Sequence, residues 1–88
     1  MSIRTRIKIC GLTREADVAA AVEAGADALG FNLYAQSARH VTLQRACELA
    51  RSLPPFVTPV LLFVNHARAE VAAACTALPQ ALLQFHGD

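Results

Sequence analysis

An α/β fold with parallel strands is what this sequence predicts, and three observations carry it. Stretches with strand character, near residues 5–10, 28–34, 57–65 and 81–86, alternate with stretches of helical spacing. The helical stretches are bounded by capping residues, glycine or proline. No low-complexity segment or linker divides the order, which repeats strand then helix and closes on a strand. Such alternation implies parallel strands joined by right-handed crossovers.

The first strand, Thr5 to Cys10, alternates charged and apolar residues: Arg6, Lys8 and Cys10 share one face, Ile7 and Ile9 the other. Gly11 and Leu12 form a short loop, and Thr13 is placed to cap a helix whose first turn holds Glu15 and Asp17, which favour the positive end of the helix dipole. That helix runs to about Ala24 and stops at Gly25. The second strand, Ala28 to Tyr34, puts Leu29, Phe31 and Leu33 opposite Ala28, Gly30, Asn32 and Tyr34. After the polar loop A-Q-S-A-R-H, Thr42 caps a second helix reaching about Leu53, with Ala46, Leu49, Ala50 and Leu53 on one stripe, and Pro54 and Pro55 end it.

Val57 to Asn65 holds a third strand, with Val60, Leu62 and Val64 on one face and Leu61, Phe63 and Asn65 on the other. A third helix covers roughly Arg68 to Leu78, with Val71, Cys75 and Leu78 at packing spacing, so that Cys75 reads as a core residue; Pro79 terminates it. Ala81 to His86 is the fourth strand, where Leu83 and Phe85 oppose Leu82, Gln84 and His86.

Composition excludes several function classes. The chain has 88 residues, 55% hydrophobic and 17% charged, with net charge +1, so it is neither disordered nor a nucleic-acid-binding basic patch. The N-terminus, MSIRTRIKIC, lacks the apolar core of a signal peptide, and no apolar run approaches the roughly 18–20 residues that span a bilayer. Cys10, Cys47 and Cys75 are odd in number and widely spaced, which is neither a disulfide framework nor a metal or redox pair. The expectation is a cytoplasmic protein without metal or organic cofactor, nucleic-acid partner or membrane.

In parallel α/β folds the loops that follow the strands meet at one end of the sheet. Cys10, Tyr34, Asn65 and His86 end the four strands, each on the face read as polar or small, together with Lys8, Gly30, Asn32 and Gln84. The opposite face, read as Ile7, Ile9, Leu29, Phe31, Leu33, Val60, Leu62, Val64, Leu83 and Phe85, is apolar enough to lie under helices. One greasy face and one partly polar face suit a barrel interior better than a doubly wound sheet. A complete (β/α)8 or TIM barrel takes about 200 residues at minimum. Residues 1–88 therefore read as the N-terminal portion of one such domain, incomplete, with open edges on its first and fourth strands that would permit an edge-paired dimer.

The motifs K-I-C-G-L-T at 8–13, E-A-G-A-D-A-L-G-F at 23–31, Y-x-x-S-x-R at 34–39, L-P-P-F-V-T-P-V at 53–60, F-V-N at 63–65 and L-Q-F-H-G-D at 83–88 occur in this order. With them the chain resembles the N-terminal part of phosphoribosylanthranilate isomerases, (β/α)8-barrel enzymes of tryptophan biosynthesis. The resemblance implies an Amadori rearrangement of N-(5-phosphoribosyl)anthranilate, a phosphorylated small molecule, into the corresponding 1-deoxyribulose 5-phosphate, without a cofactor. It implies that Cys10 is the general base and that Arg39 contacts the anthranilate carboxylate. Gln84, His86 and Asn65 are expected to bind substrate at the mouth, His86 chiefly by shaping it and Asn65 by bracing the loop. The general acid and the phosphate site of the family fall after Asp88, so the chain alone is expected to be inactive.

Lys8 and the nearby helix start are placed to favour a Cys10 thiolate. Departures from the family lie at Asn32 and Leu33, at Ala35, Gln36 and Ala38, and at Leu61. They bear on pocket shape and leave Cys10 and Arg39 in place. Without the resemblance, the residues also accommodate a self-contained small α/β domain that binds a ligand or partner without catalysis. In that setting Cys10 would be a small apolar filler and Arg39 a solvated loop residue.

Overall fold

A computed structural model describes residues 6–86. Thr5 of the first expected strand and the Gly87–Asp88 end of the last motif lie outside the described residues. The elements are β1 (Lys8–Cys10), α1 (Glu15–Glu23), β2 (Ala28–Asn32), α2 (Leu43–Ala50), β3 (Thr58–Val64), α3 (Arg68–Ala77) and β4 (Leu82–His86). The strands form one parallel sheet in the order β1-β2-β3-β4.

Local chemistry explains where the helices start and stop. The end of α1 is a Schellman motif: Gly25, at φ 95°, donates from its N–H to Val22 O, and Ala26 donates to Ala21 O. Its start differs from expectation. Arg14, not Thr13, is the N-cap, and it makes no side-chain cap bond. Thr42 does cap α2, its Oγ1 accepting from Arg45 N at 3.1 Å. That helix stops at Ala50 rather than Leu53: Arg51 N–H turns to Glu48 O and Leu53 N–H to Ala50 O, and Pro54 disfavours helical geometry at Leu53. At the start of α3 the Glu70 carboxylate accepts from Ala67 N.

The strand register settles which side chains share a face. Residues paired across a parallel ladder point the same way. Cys10 pairs with Gly30, Gly30 with Val60, and Val60 with Leu82. Lys8, Cys10, Gly30, Asn32, Val60, Leu62, Val64, Leu82, Gln84 and His86 therefore lie on one face. Ile9, Leu29, Phe31, Leu61, Phe63, Leu83 and Phe85 lie on the other. The expected phase of β3 was thus inverted: Leu61 and Phe63, 0% and 1% exposed, go under the helices. A strand apolar on both sides carries no phase in its sequence, and a one-residue shift exchanges every side chain between faces.

The core lies between that second face and the helices. Val18 and Ala21 of α1, Ala46, Leu49 and Ala50 of α2, and Ala74 of α3 pack with Leu29, Phe31, Leu61 and Phe63. In α3 the buried position is Ala74, between Val71 and Leu78; Cys75 is exposed, against the packing role expected of it. The helix presents 71, 74 and 78 to the sheet, which turns 75 outward. Burying these largely aliphatic groups drives the layer together at about 25 cal/mol per Å² of apolar surface.

Candidate active site

Cys10 is the last residue of β1 and is exposed at the C-terminal end of the sheet. The chain leaves it through Gly11 at φ 85°, and Gly11 N–H and Leu12 N–H both turn onto Gly30 O, at 3.0 and 3.4 Å. This folds the β1 exit tightly over β2. Gly30 is the residue beside Cys10 in the ladder, and a Cβ there would lie 2.7 Å from Cys10 Sγ. The thiol occupies space that any side chain at position 30 would take.

Arg39 arrives from the connection between β2 and α2, a loop that closes on itself. Asn32 forms an isolated parallel bridge with His40, and Val41 N–H donates to Asn32 O at 2.9 Å. Inside the loop Asn32 Oδ1 accepts from Tyr34 N, Asn32 Nδ2 donates to Ser37 Oγ, and Ser37 Oγ also accepts from Arg39 N. Asn32 is thus the organiser of the loop, and Ser37 its second node. The outcome is an arginine laid over Gly11: a Cβ at Gly11 would lie 2.5 Å from Arg39 Cδ and 3.0 Å from Nη1. Among the described residues the guanidinium has no hydrogen-bond or ion-pair partner, and it is exposed.

Across the same face, Lys8 Nζ donates to Gln84 Oε1. These residues stand on β1 and β4, with two strands between them. In a flat sheet three strand spacings would separate them by roughly 14 Å. Their contact therefore records a sheet curled toward this face, which makes it concave. His86 ends β4 beside Val64 and is exposed. Asn65 does not join this group. It follows β3 at φ 54°, is exposed, and by the phase of that strand belongs with Leu61 and Phe63. Tyr34, half-buried, donates its hydroxyl to Gln36 Oε1 within the loop.

Two arrangements had no sequence signal. Arg45 on α2 grips Glu15 on α1 with two contacts, Nη1–Oε2 at 2.6 Å and Nη2–Oε1 at 2.7 Å, while also reaching Glu48 and the carbonyl of Thr13. The paired guanidinium holds the Glu15 carboxyl down at about 2 and pushes Arg45 above its usual range. The fork ties the starts of two helices to the loop after Cys10. Its partners are thirty residues apart, and no local pattern links them. The second is His66, whose Nδ1 accepts from Val64 N at 2.9 Å while Nε2 lies 2.9 Å from Leu33 O. Among the described residues no three His, Cys, Asp or Glu side chains gather as a metal site.

A parallel sheet, helices on its convex side, and a polar group at the C-terminal ends of its strands on the concave side define an α/β protein of the barrel class. Comparison with known proteins gives the particular family. Residues 7–88 match the family described as N-(5'-phosphoribosyl)anthranilate isomerase, and the chain belongs to that family. The protein of that name from Methylibium petroleiphilum is 70% identical over 86 residues, 98% of this chain and 40% of its own length. The one from Dechloromonas aromatica is 63% identical over 86 residues, 98% of this chain and 41% of its own length.

Among solved structures, the phosphoribosyl anthranilate isomerase of Thermotoga maritima superposes with a TM-score of 0.90 at 36% identity, over 97% of this chain and 42% of that one. A phosphoribosyl anthranilate isomerase in complex with reduced 1-(o-carboxyphenylamino)-1-deoxyribulose 5-phosphate superposes equally well, at 0.90 and 36% identity, over 97% of this chain and 44% of that one. The chain spans about 40% of the length of the curated relatives it matches. Among the described residues no helix is long and apolar enough to cross a membrane.

Proposed function

We propose that this chain supplies the proton-transferring thiol and the carboxylate-binding arginine of a phosphoribosylanthranilate isomerase, as the N-terminal part of a single barrel domain. One observation supports this above the others. Gly11 and Gly30, each lacking a side chain, let Arg39 and the Cys10 thiol crowd onto the same strand exit. A cation that has no partner among the described residues then faces the solvent side of the mouth, beside a nucleophile or base.

In this reading an acid protonates the ribose ring oxygen and the C1–O bond breaks, leaving a C1=N iminium. Cys10, as thiolate, removes the proton from C2, and the electron pair of that C–H bond moves to form the enolamine. Tautomerisation to the C2 ketone completes the aldose–ketose change. The task of Arg39 is to hold the anthranilate carboxylate so that C2 meets the thiol. Gln84 and His86, on the same concave face, shape the mouth and contact the substrate; Gln84 also holds Lys8. Asn65 is assigned to bracing the turn after β3. The ring-opening acid and the phosphate contacts are assigned to barrel strands beyond those described, so the 88-residue chain alone is expected to show no turnover. The cytoplasmic placement rests on the cysteine pattern, Cys10, Cys47 and Cys75 being odd in number and widely spaced.

The test is a barrel chimera, in which residues of this chain replace the 86 matching residues of the Methylibium petroleiphilum protein. Isomerase turnover in the chimera, lost on Cys10→Ala and recovered by no other thiol, supports the assignment. A chimera that folds and turns over equally well with Cys10→Ala contradicts it. The self-contained binding domain is the second reading. The exposure of Phe85 and Leu82 on β4, 62% and 61%, does not favour it, because a finished domain covers such side chains.

A further inference from the structure

The hydrogen-bond ladder between β2 and β3 is interrupted at its C-terminal end by a side chain. Leu33 N–H donates to Leu62 O at 3.0 Å. In a parallel ladder the next bond runs from the N–H two residues further along the partner strand to the carbonyl of the same residue, here from Val64 N–H to Leu33 O. The imidazole of His66 stands in that place. Val64 N–H donates to Nδ1 and the far nitrogen meets Leu33 O, both at 2.9 Å. Because Nδ1 accepts, Nε2 carries the proton and donates, which fixes the neutral Nε2–H tautomer. Asn65, at φ 54°, makes the sharp reversal that returns the ring between the strands. Phe63 holds it edge-on, with centroids 5.2 Å apart at 85°.

Leu33 is the last residue before the Arg39 loop. The loop begins at Tyr34, whose N–H is taken by Asn32 Oδ1, and Asn32 also receives the returning chain at Val41. The ring therefore sets the spacing of the strand exits just where the loop is rooted. We infer that His66 is a positioning residue: spliced between Val64 N–H and Leu33 O, it fixes the root of the loop that presents Arg39 and so governs binding of the carboxylate-bearing ring of the substrate, not the proton transfer at Cys10. This rests on the reading of Arg39 as the carboxylate contact.

Two amide substitutions separate the halves of the splice. Asparagine places an amide where Nδ1 stood and can keep the contact with Val64, but it falls short of Leu33. Glutamine reaches the position of Nε2 and can donate to Leu33 O. In the barrel chimera, His66→Asn is expected to raise KM roughly fivefold to tenfold, the scale of one lost internal hydrogen bond, with kcat within twofold. His66→Gln is expected to keep KM within threefold. Unchanged KM in His66→Asn, or a kcat loss as large as the KM change, overturns the inference. If His66→Asn does not fold, His66→Gln carries the test alone: KM within threefold supports the inference and a tenfold rise overturns it. Arg39→Ala is measured alongside. If it leaves KM unchanged, the reading of Arg39 fails. The splice is then judged by nitrogen NMR of His66, where the Nε2–H tautomer supports it and the Nδ1–H tautomer overturns it.

Discussion

Arg39 lies across the backbone of Gly11, so a guanidinium with no partner among the described residues stands one residue beyond the thiol of Cys10. The relationship depends on the glycine in two ways. Gly11 turns at φ 85°, and its missing side chain leaves the surface on which the arginine rests.

Replacing Gly11 by alanine should therefore act on both. The positive φ costs an L-residue about 1–2 kcal/mol. The new Cβ would lie 2.5 Å from Arg39 Cδ and push the arginine off the strand exit. Denaturant unfolding of the chimera should show the lost stability, and steady-state kinetics a higher KM. Arg39 can move away cheaply, since its side chain is flexible, so the kinetic change should exceed what stability alone suggests.

Gly30→Ala tests the seat of the thiol. Its Cβ would lie 2.7 Å from Cys10 Sγ, closer than such atoms approach, and 3.3 Å from the backbone Cα of Cys10, so the thiol must shift. Overpacking of this kind costs about 1–3 kcal/mol. The rate at which iodoacetamide alkylates Cys10 should change in this variant, with Cys47 and Cys75 replaced by alanine beforehand. An unchanged rate and an unchanged unfolding midpoint would show that the thiol does not sit over Gly30.

Arg39→Ala should weaken substrate binding while sparing the chemical step. A charge-assisted contact to a carboxylate is worth about 1.5–3 kcal/mol, which corresponds to roughly ten- to a hundredfold in KM. A reduced product analogue should lose affinity by the same factor, and isothermal titration would measure it. Equal affinity in the two proteins would remove Arg39 from the site.

The fork between Glu15 and Arg45 predicts an acid signature. The Glu15 carboxyl is lowered from 4.5 to about 2, chiefly by hydrogen bonds from Arg45. A carboxylate depressed in the folded state stabilises fully above its unfolded value, and that contribution fades as pH falls from about 4.5 through 2. Glu15→Gln should accordingly flatten the fall of stability in this window and leave the profile above pH 6 parallel to the parent. The pair is exposed, so high salt should shrink the difference. Denaturant midpoints at a series of pH values would show it.

The order of elements was readable because each carries its own signal: period two in Lys8–Cys10, a glycine after α1, a threonine before α2. The barrel reading came from the polar side of β1 and β4, where Lys8, Cys10, Gln84 and His86 do share a face. The phase of β3 was not readable, since Val60 through Val64 is apolar throughout and only its partners decide the register. That error carried Asn65 to the wrong face. Cys75 failed for a related reason: spacings of 71, 74, 78 and 71, 75, 78 are both helical, and the small Ala74 is what the close helix–sheet approach accepts. The contacts of His66 and Arg45 span residues far apart in sequence, and a histidine or arginine in a polar stretch looks the same whether solvated or spliced into a ladder.

The assignment of Cys10 as the base is the centre of this account, and the Cys10→Ser barrel chimera tests it most directly. A hydroxyl keeps the size and position of the thiol but is a far poorer base near neutral pH. Turnover should fall about 10²- to 10⁴-fold, the usual contribution of a positioned base, while affinity for the reduced product analogue stays within threefold. Turnover within twofold of the parent, with the fold intact, would contradict the account.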